Sequence, residues 1–335
     1  MIEAVHYTRQ KEDMVRCELC PHACLLKPDE TGKCLARTNR EGRLVTQNYG
    51  KLTGMHLDPV EKKPLYHFFP GQRILSIGSY GCNLHCDWCQ NARISLSGNG
   101  HFDSLPVTNP EEVVASMRRM GGIGLAYTYN EPVVWFEFMM DTARMVQAEG
   151  RKNVMVTNGF INPKPMKELL EVVDALNVDL KSFSQDFYHR WTGGSLQPVK
   201  HTLTEVARRG RHLEVTFLVI PELTDDLLLF RDMVRWIREE LGEQTVLHLS
   251  RYFPAWKLAH PPTPIDSMTR LLEAALEQLP FVYLGNVPQT TAVSDTYCPV
   301  CSTLMISRRG YQTDIHGMNG LGHCTHCGEP VITMQ

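Results

Sequence analysis

An α/β chain built around a partial barrel of parallel strands is what this 335-residue sequence predicts. Two patterns carry the prediction. Between residues 73 and 287, short β-rich runs alternate with longer helical stretches, as they do in parallel sheets joined by crossover helices. Several helical stretches open on Pro or Asp and several close at Gly121, Gly150, Gly210 or Gly242, the punctuation that helix ends prefer. A third observation sets the limits of the barrel: the eleven cysteines fall into three groups, one inside the alternating region and one on either side of it.

In order, the strands are expected at 74–77, 124–129, 154–157, 176–179, 213–220, 246–249 and 282–284. Helices are expected at 110–120, 132–149, 163–172, 198–209, 225–241 and 266–278. Pro254, Pro261, Pro262 and Pro264 mark an extended loop after the sixth strand. Six or seven such units suit a partial (β/α) barrel, whose chemistry gathers at the C-terminal ends of the strands. The chain then divides into an N-terminal cysteine-containing segment (1–72), the barrel (73–297) and a C-terminal module (298–335).

Composition limits the function classes. With 43% hydrophobic and 21% charged residues the chain buries a sizeable core, and a net charge of −3 gives no general reason to expect nucleic acid or an acidic membrane as partner. The first residues lack the basic segment and apolar run of a signal peptide. No stretch approaches the ~20 apolar residues that span a bilayer. A cytoplasmic protein is expected, and cytosolic thiols stay reduced, so the cysteines read as metal ligands rather than disulfides.

The middle group, Cys82, Cys86 and Cys89, has the spacing C-x3-C-x2-C, which lets a short loop wrap three corners of a four-iron cube. A cubane normally has four thiolates; with three, one iron stays open to a substrate. Three-cysteine loops make poor zinc sites. The last group, Cys298, Cys301, Cys324 and Cys327, is a pair of C-x2-C knuckles 22 residues apart. That is a zinc-ribbon pattern, a closed four-sulfur site of structural type, with an auxiliary iron–sulfur cluster as the alternative. The first group, Cys17, Cys20, Cys24 and Cys34, is also complete with four ligands and is read as a structural metal site. Its spacing differs from ferredoxin-type runs and leaves the metal open. His22 competes as a ligand but is better read as part of a tight turn.

Alternation in 177–181 puts Asn177, Asp179 and Lys181 on one inward face. A carboxylate and an ammonium inside a barrel must pair with each other or bind a ligand.

The segment Gly81-Cys82-Asn83-Leu84-His85-Cys86-Asp87-Trp88-Cys89-Gln90-Asn91 resembles the signature of radical S-adenosylmethionine (SAM) enzymes. The resemblance implies an open (β/α)6 barrel and a [4Fe–4S] cluster on the three cysteines. It also implies SAM chelated at the open iron, and reductive cleavage of SAM to methionine and a 5′-deoxyadenosyl radical. Glycyl-radical activating enzymes carry a Gly-Gly-Glu segment that binds the SAM amino group; the matching positions here are Tyr129, Asn130 and Glu131, so both glycines are replaced. They also resemble this chain at Thr157 and Asn158, which lie ahead of Gly159, although Val156 stands where they have an acidic residue. By the same resemblance Asp179 and Lys181 contact SAM, Lys181 through its carboxylate. His248 is the match for a SAM-contacting histidine, and Arg251 a substrate or partner contact.

Over nearly the whole chain the likeness tightens. The N-terminal cysteine region, residues 57–67, Cys89-Gln90-Asn91, residues 127–132 and the C-terminal ribbon are similar to the AmmeMemoRadiSam-system radical SAM proteins, relatives of the pyruvate formate-lyase activating enzymes. Membership implies AMMECR-type and Memo-like partner proteins and a low-potential electron donor, with the substrate unspecified. An activase that abstracts hydrogen from a partner's glycine is the alternative enzyme. A non-enzymatic zinc-bearing module is the alternative of another kind. Arg308-Arg309-Gly310-Tyr311 faintly resembles a glycyl-radical segment, but its place between the knuckles makes it a ribbon turn.

Overall fold

The computed structural model describes residues 2–97, 99–288 and 293–334. The N-terminal region forms six short strands: β1 (Ile2–Glu3), β2 (Tyr7–Arg9), β3 (Val15–Cys17), β4 (Leu25–Leu26), β5 (Arg37–Arg40) and β6 (Arg43–Thr46). They pair into two antiparallel three-stranded sheets, ordered β1-β6-β5 and β2-β3-β4.

An eight-stranded sheet follows, made of β7 (Gly54–Pro59), β8 (Arg73–Gly78), β9 (Gly124–Tyr127), β10 (Lys152–Thr157), β11 (Ala175–Asp179), β12 (His212–Val219), β13 (Val246–Arg251) and β14 (Val282–Gly285). Strands β8 to β14 run parallel in chain order, and β7 adds antiparallel to β8. Every strand expected from the alternation is present, within two residues at either end. β7 is an addition: it lies in the segment expected to precede the barrel. The edges β7 and β14 do not pair with each other, so the sheet is a partial barrel.

Short helix α1 (Ala92–Ser95) follows the cysteine loop. The crossovers are α2 (Pro110–Met120), α3 (Phe136–Ala148), α4 (Pro163–Leu169), the short α5 (Gln185–Phe187) with α6 (Leu196–Arg208), α7 (Leu227–Leu241) and α8 (Ile265–Leu276). Local chemistry sets their starts. Asn109 caps α2 in a reciprocal box with Glu112, and Pro110 occupies the first turn. Apolar spacing sets their inner faces: α6 buries Leu196, Val199, Leu203 and Val206.

Strand alternation divides the sheet into two faces. Leu75, Ile77, Leu125, Tyr127, Leu176, Val178, Val215 and Phe217 belong to the main core with the helices. On the opposite face Ile74, Ala126, Val154 and Ala175 are small or branched, and Val60, Leu65 and Phe68 pack onto them. That plug fills the barrel at the N-terminal ends of the strands. One layer further along, the same face turns polar and opens into a cleft.

The C-terminal module is an antiparallel sheet of β15 (Thr296–Tyr297), β16 (Leu304–Arg309) and β17 (Gln312–Ile315). Arg309 pairs with Gln312, so Gly310 and Tyr311 form the hairpin turn, with Gly310 at φ 60°. No described helix is long and apolar enough to cross a membrane.

Candidate active site

The loop leaving β8 carries Cys82, Cys86 and Cys89 and is anchored on every side by main-chain bonds. The Ser79 N–H donates to Asn130 Oδ1 (2.9 Å), and Asn130 Nδ2 donates back to the Gly81 carbonyl (3.0 Å). The His85 N–H donates to the Thr192 carbonyl, and the Asp87 carbonyl accepts from the Lys257 and Leu258 N–H groups. Gly81 sits at φ 89°, and a Cβ there would stand 2.5 Å from the Cys34 carbonyl. Only glycine lets the loop pass that close.

Cys82, Cys86 and Cys89 all line a cleft of ≈ 430 Å³ at the C-terminal ends of the strands. Tyr129, Asn130, Glu131, Thr157, Asn158, Asp179 and Lys181 line it too. Lys181 Nζ donates to Asp179 Oδ2 at 2.7 Å, with the two side chains 17% and 32% exposed. Burial works against the Lys181 ammonium, but the Asp179 carboxylate and Cys86 keep its pKa above the ordinary lysine value.

The remaining wall is held by internal bonds. Glu131 is buried; its carboxylate accepts from Thr157 Oγ1 (2.7 Å), the Val133 N–H (3.1 Å) and the Asn158 N–H (2.8 Å). Burial raises its pKa to about 7, against those three bonds. Glu131 thus straps the ends of β9 and β10 together. Asn158 Nδ2 reaches Asn83 Oδ1 at 2.9 Å and Cys82 Sγ at 3.6 Å, and the Leu84 N–H donates to the same sulfur at 3.4 Å. Tyr129 keeps φ at 73°, a conformation that favours glycine and costs a tyrosine of order 1 kcal/mol. Its carbonyl accepts from Asn91 Nδ2 (2.7 Å) and its hydroxyl donates to Asp58 Oδ2 (2.8 Å).

Three residues here carried no expected role. Lys62 and Lys63 line the cleft and donate to Asp58 at 2.9 and 2.7 Å. Burial opposes ionisation of Asp58, yet the bonds from Lys63, Lys62 and Tyr129 hold its carboxyl well below the usual range. The only sequence signal for them was their place in the 57–67 segment.

His248 is not in the cleft wall. Ser250, next on the same face of β13, is, while His248 lies one layer deeper and donates from Nε2 to Glu214 Oε2 at 2.6 Å. Glu214 is fully buried and also accepts from His212 Nε2 and from the Tyr66 and His67 N–H groups. Burial alone would raise its pKa, but the His212 and His248 bonds hold it well below the carboxylate range. The network continues into the C-terminal module. Arg308 Nη1 donates to Thr296 Oγ1, which bonds the Tyr283 hydroxyl, which bonds His67 Nε2 at 2.6 Å. Because His67 Nδ1 faces the Val331 carbonyl, that nitrogen carries the proton and Nε2 accepts. Arg251 also stays off the cleft wall, donating from Nε to the Thr263 carbonyl.

The other cysteine groups form two separate sites. The sulfurs of Cys298, Cys301, Cys324 and Cys327 all lie within 4.8 Å of one another, the spacing of a single tetrahedral ion. Each knuckle closes the same way: the Ser302 N–H donates to Cys298 O, and the Gly328 N–H to Cys324 O. Cys17, Cys20, Cys24 and Cys34 line a cavity against the Cys82 loop. His22 packs beside it, its Nε2 donating to the Asn83 carbonyl at 2.7 Å.

The Radical SAM superfamily profile matches residues 76–234, which contain the cysteine loop and the Asp179–Lys181 pair. An uncharacterized protein of Methanocaldococcus jannaschii is 39% identical over 336 residues, 99% of each chain. The chain belongs to the radical SAM superfamily. It is therefore an enzyme of the class that cleaves SAM at an iron–sulfur cluster. The pyruvate formate-lyase 1-activating enzyme of Escherichia coli K12 is 27% identical over 161 residues, 47% of this chain and 65% of that one. A radical SAM methyltransferase of Sphaerobacter thermophilus shares the fold at a TM-score of 0.50 and 15% identity, over 65% of this chain and 67% of that one.

The residues present fit the superfamily's cluster. Three cysteines converge on the cleft, its carboxylates Asp179 and Glu131 are bonded to Lys181 and to the Thr157, Val133 and Asn158 donors, and two N–H donors already point at Cys82 Sγ, as a thiolate requires. Without metal, burial raises the pKa of all three thiols, Cys86 to about 12, with Lys181 opposing at Cys86 and Cys89. Metal ligation converts such thiols to thiolates.

Proposed function

We propose that the enzyme binds SAM in the ≈ 430 Å³ cleft, with a [4Fe–4S] cluster on Cys82, Cys86 and Cys89 and Lys181 on the SAM carboxylate. The observation that carries this reading is one cleft holding three convergent cysteines and an Asp–Lys pair, of a size usual for cofactor sites. When bound, the cluster supplies one electron to a carbon–sulfur bond of SAM, giving methionine and a 5′-deoxyadenosyl radical. The chain's own residues do the rest. Lys181 neutralises and orients the carboxylate, and Asp179 holds Lys181 while keeping an oxygen free for a SAM hydroxyl or amino group. Tyr129, Asn130 and Glu131 offer main-chain atoms to the amino group, because their side chains are already bonded elsewhere. The glycine-like backbone at Tyr129 supports that assignment. Thr157 and Asn158 fix this wall, and Asn158 donates to Cys82. His248 is reassigned to the buried Glu214 network.

The finer architecture in this reading is a (β/α)6-type barrel over 73–297, a separate cysteine-bearing segment over 1–72, and a zinc ribbon over 298–335. The close gathering of the four C-terminal sulfurs supports zinc. The enzyme works in the cytoplasm, takes electrons from a low-potential donor and acts with AMMECR-type and Memo-like partners on a substrate of its own. The partners rest on the sequence resemblance. A second reading, an activase acting on a partner's glycine, is favoured by the similarity to the E. coli activating enzyme.

One experiment tests both. The protein is incubated anaerobically with SAM, reductant and cell extract, followed by mass spectrometry and EPR. A new small-molecule or protein mass that requires SAM supports the first reading. A glycyl radical on an extract protein supports the second. No product and no radical, despite SAM cleavage, contradicts both.

A further inference from the structure

We infer that Cys17, Cys20, Cys24 and Cys34 hold a second iron–sulfur cluster, through which electrons enter and pass to the one at Cys82, Cys86 and Cys89. The relay half of this inference rests on the function proposed above.

Spacing separates a cluster from a single ion. One tetrahedral zinc with Zn–S bonds of ~2.3 Å holds its sulfurs ~3.8 Å apart, and the C-terminal quartet approaches that, all within 4.8 Å. The N-terminal quartet surrounds one cavity yet does not gather so closely, and neither does the catalytic triplet. Wider spacing is what a cubane needs, since each thiolate binds a different iron. Gly32 lies on the cavity wall. A Cβ there would lie 3.7 Å from Cys24 Sγ and 3.8 Å from Cys34 Sγ, against the sulfurs that face the cavity.

A second observation points to an anion in the cavity. Arg37 forms part of its wall and is 1% exposed. Nη2 is satisfied by the Val5 carbonyl (2.8 Å) and Glu137 Oε1 (2.6 Å), but Nε and Nη1 are buried with no acceptor. Unpaired donors on a buried guanidinium are costly. A four-thiolate iron–sulfur cluster is an anion whose sulfurs accept hydrogen bonds from such donors.

Adjacency points to the relay. Asn83 lines the quartet's cavity and Cys82 lines the active-site cleft, so neighbouring residues of one loop form the two walls. The loops are locked together: His22 bonds the Asn83 carbonyl, His85 Nε2 donates to the Lys33 carbonyl at 2.8 Å, and Gly81 abuts the Cys34 carbonyl. In the step, an external one-electron carrier loses one electron and the quartet cluster gains it. The quartet cluster is then reoxidised as the catalytic cluster is reduced, with no bond made or broken at either.

The test uses the full chain with Cys82, Cys86 and Cys89 all changed to Ala, reconstituted anaerobically with ferrous iron and sulfide. The inference expects about four iron and four sulfide per chain and a reduced EPR signal that SAM does not alter. Iron without sulfide, or no iron, overturns it; zinc at the C-terminal quartet is counted separately. That result is independent of SAM cleavage, so failure of the proposed function would be seen separately. In the same background, Arg37→Gln combined with Glu137→Gln should shift the midpoint potential downward; an unchanged potential removes the guanidinium from the account. In the native protein, freeze-quench EPR after mixing with reduced flavodoxin should show the SAM-insensitive signal before the SAM-sensitive one. The reverse order overturns the relay.

Discussion

Replacing Lys181 with Met keeps the apolar stem and removes only the ammonium, which separates binding from folding. In the protein that ammonium stands 2.7 Å from Asp179, and the two side chains are 17% and 32% exposed. Water can therefore re-solvate the freed carboxylate, and the stability loss should be on the order of 1 kcal/mol. The effect on SAM should be larger. A charge-assisted hydrogen bond to a ligand carboxylate is worth ~1.5–3 kcal/mol, or about ten- to a hundred-and-fifty-fold in affinity. The other cations in the cleft, Lys62 and Lys63, are already held by Asp58 and are poorly placed to substitute. The assay is titration of SAM against the EPR signal of the reduced cluster, with iron content measured in parallel. The account expects full iron content, weaker SAM binding, and 5′-deoxyadenosine formation that falls at low SAM and partly recovers at high SAM. A folded, iron-replete variant with unchanged SAM affinity would refute the role given to Lys181.

Changing Cys298 and Cys324 to Ala should release about one zinc per chain by metal analysis; loss of iron and sulfide instead would mark an auxiliary cluster. Gly81→Ala forces a Cβ to 2.5 Å from the Cys34 carbonyl at φ 89°, which should cost about 1–3 kcal/mol and lower the iron bound beside it; an unchanged melting temperature and iron content would contradict this. Burial pushes the His67 ring down to about 3, so the unfolded chain takes up this proton first on acidification. Its contribution is intact above about pH 6.5 and is lost toward pH 3, at up to ~1.4 kcal/mol per pH unit. His67→Gln should flatten the acid side of a stability–pH profile from denaturant titration, and an unaltered slope would count against the neutral His67 tautomer.

The parallel strands were legible because each is a short apolar run bounded by helix starts and glycine stops, a purely local signal. β7 was not. Gly54-Met55-His56-Leu57-Asp58-Pro59 lacks a clean alternation and ends in Pro, and its pairing with β8 is settled by contact rather than pattern. The N-terminal strands are two to four residues long, too short to show any period. Within the site, the convergence of Cys82, Cys86 and Cys89 on one cleft could be read because all three lie in one short loop. His248 looked like a cofactor ligand because its partner Glu214, on the neighbouring strand, is 34 residues away. Asn130 was legible as a position but not as a latch, since both of its main bonds go to the main chain of residues 79–81, and backbone partners leave no trace in side-chain spacing. Arg308 reads as a turn residue by sequence, yet its guanidinium stacks 4.4 Å over the Tyr66 ring and bonds the Tyr66 carbonyl, fastening the C-terminal module to the barrel.

The central claim is that Cys82, Cys86 and Cys89 form the SAM-cleaving centre. The most direct measurement is 5′-deoxyadenosine released on anaerobic incubation with SAM and dithionite, by the native chain and by the variant with all three cysteines changed to Ala. The account predicts steady release from the native protein and none above background from the variant. Equal release from both would contradict it.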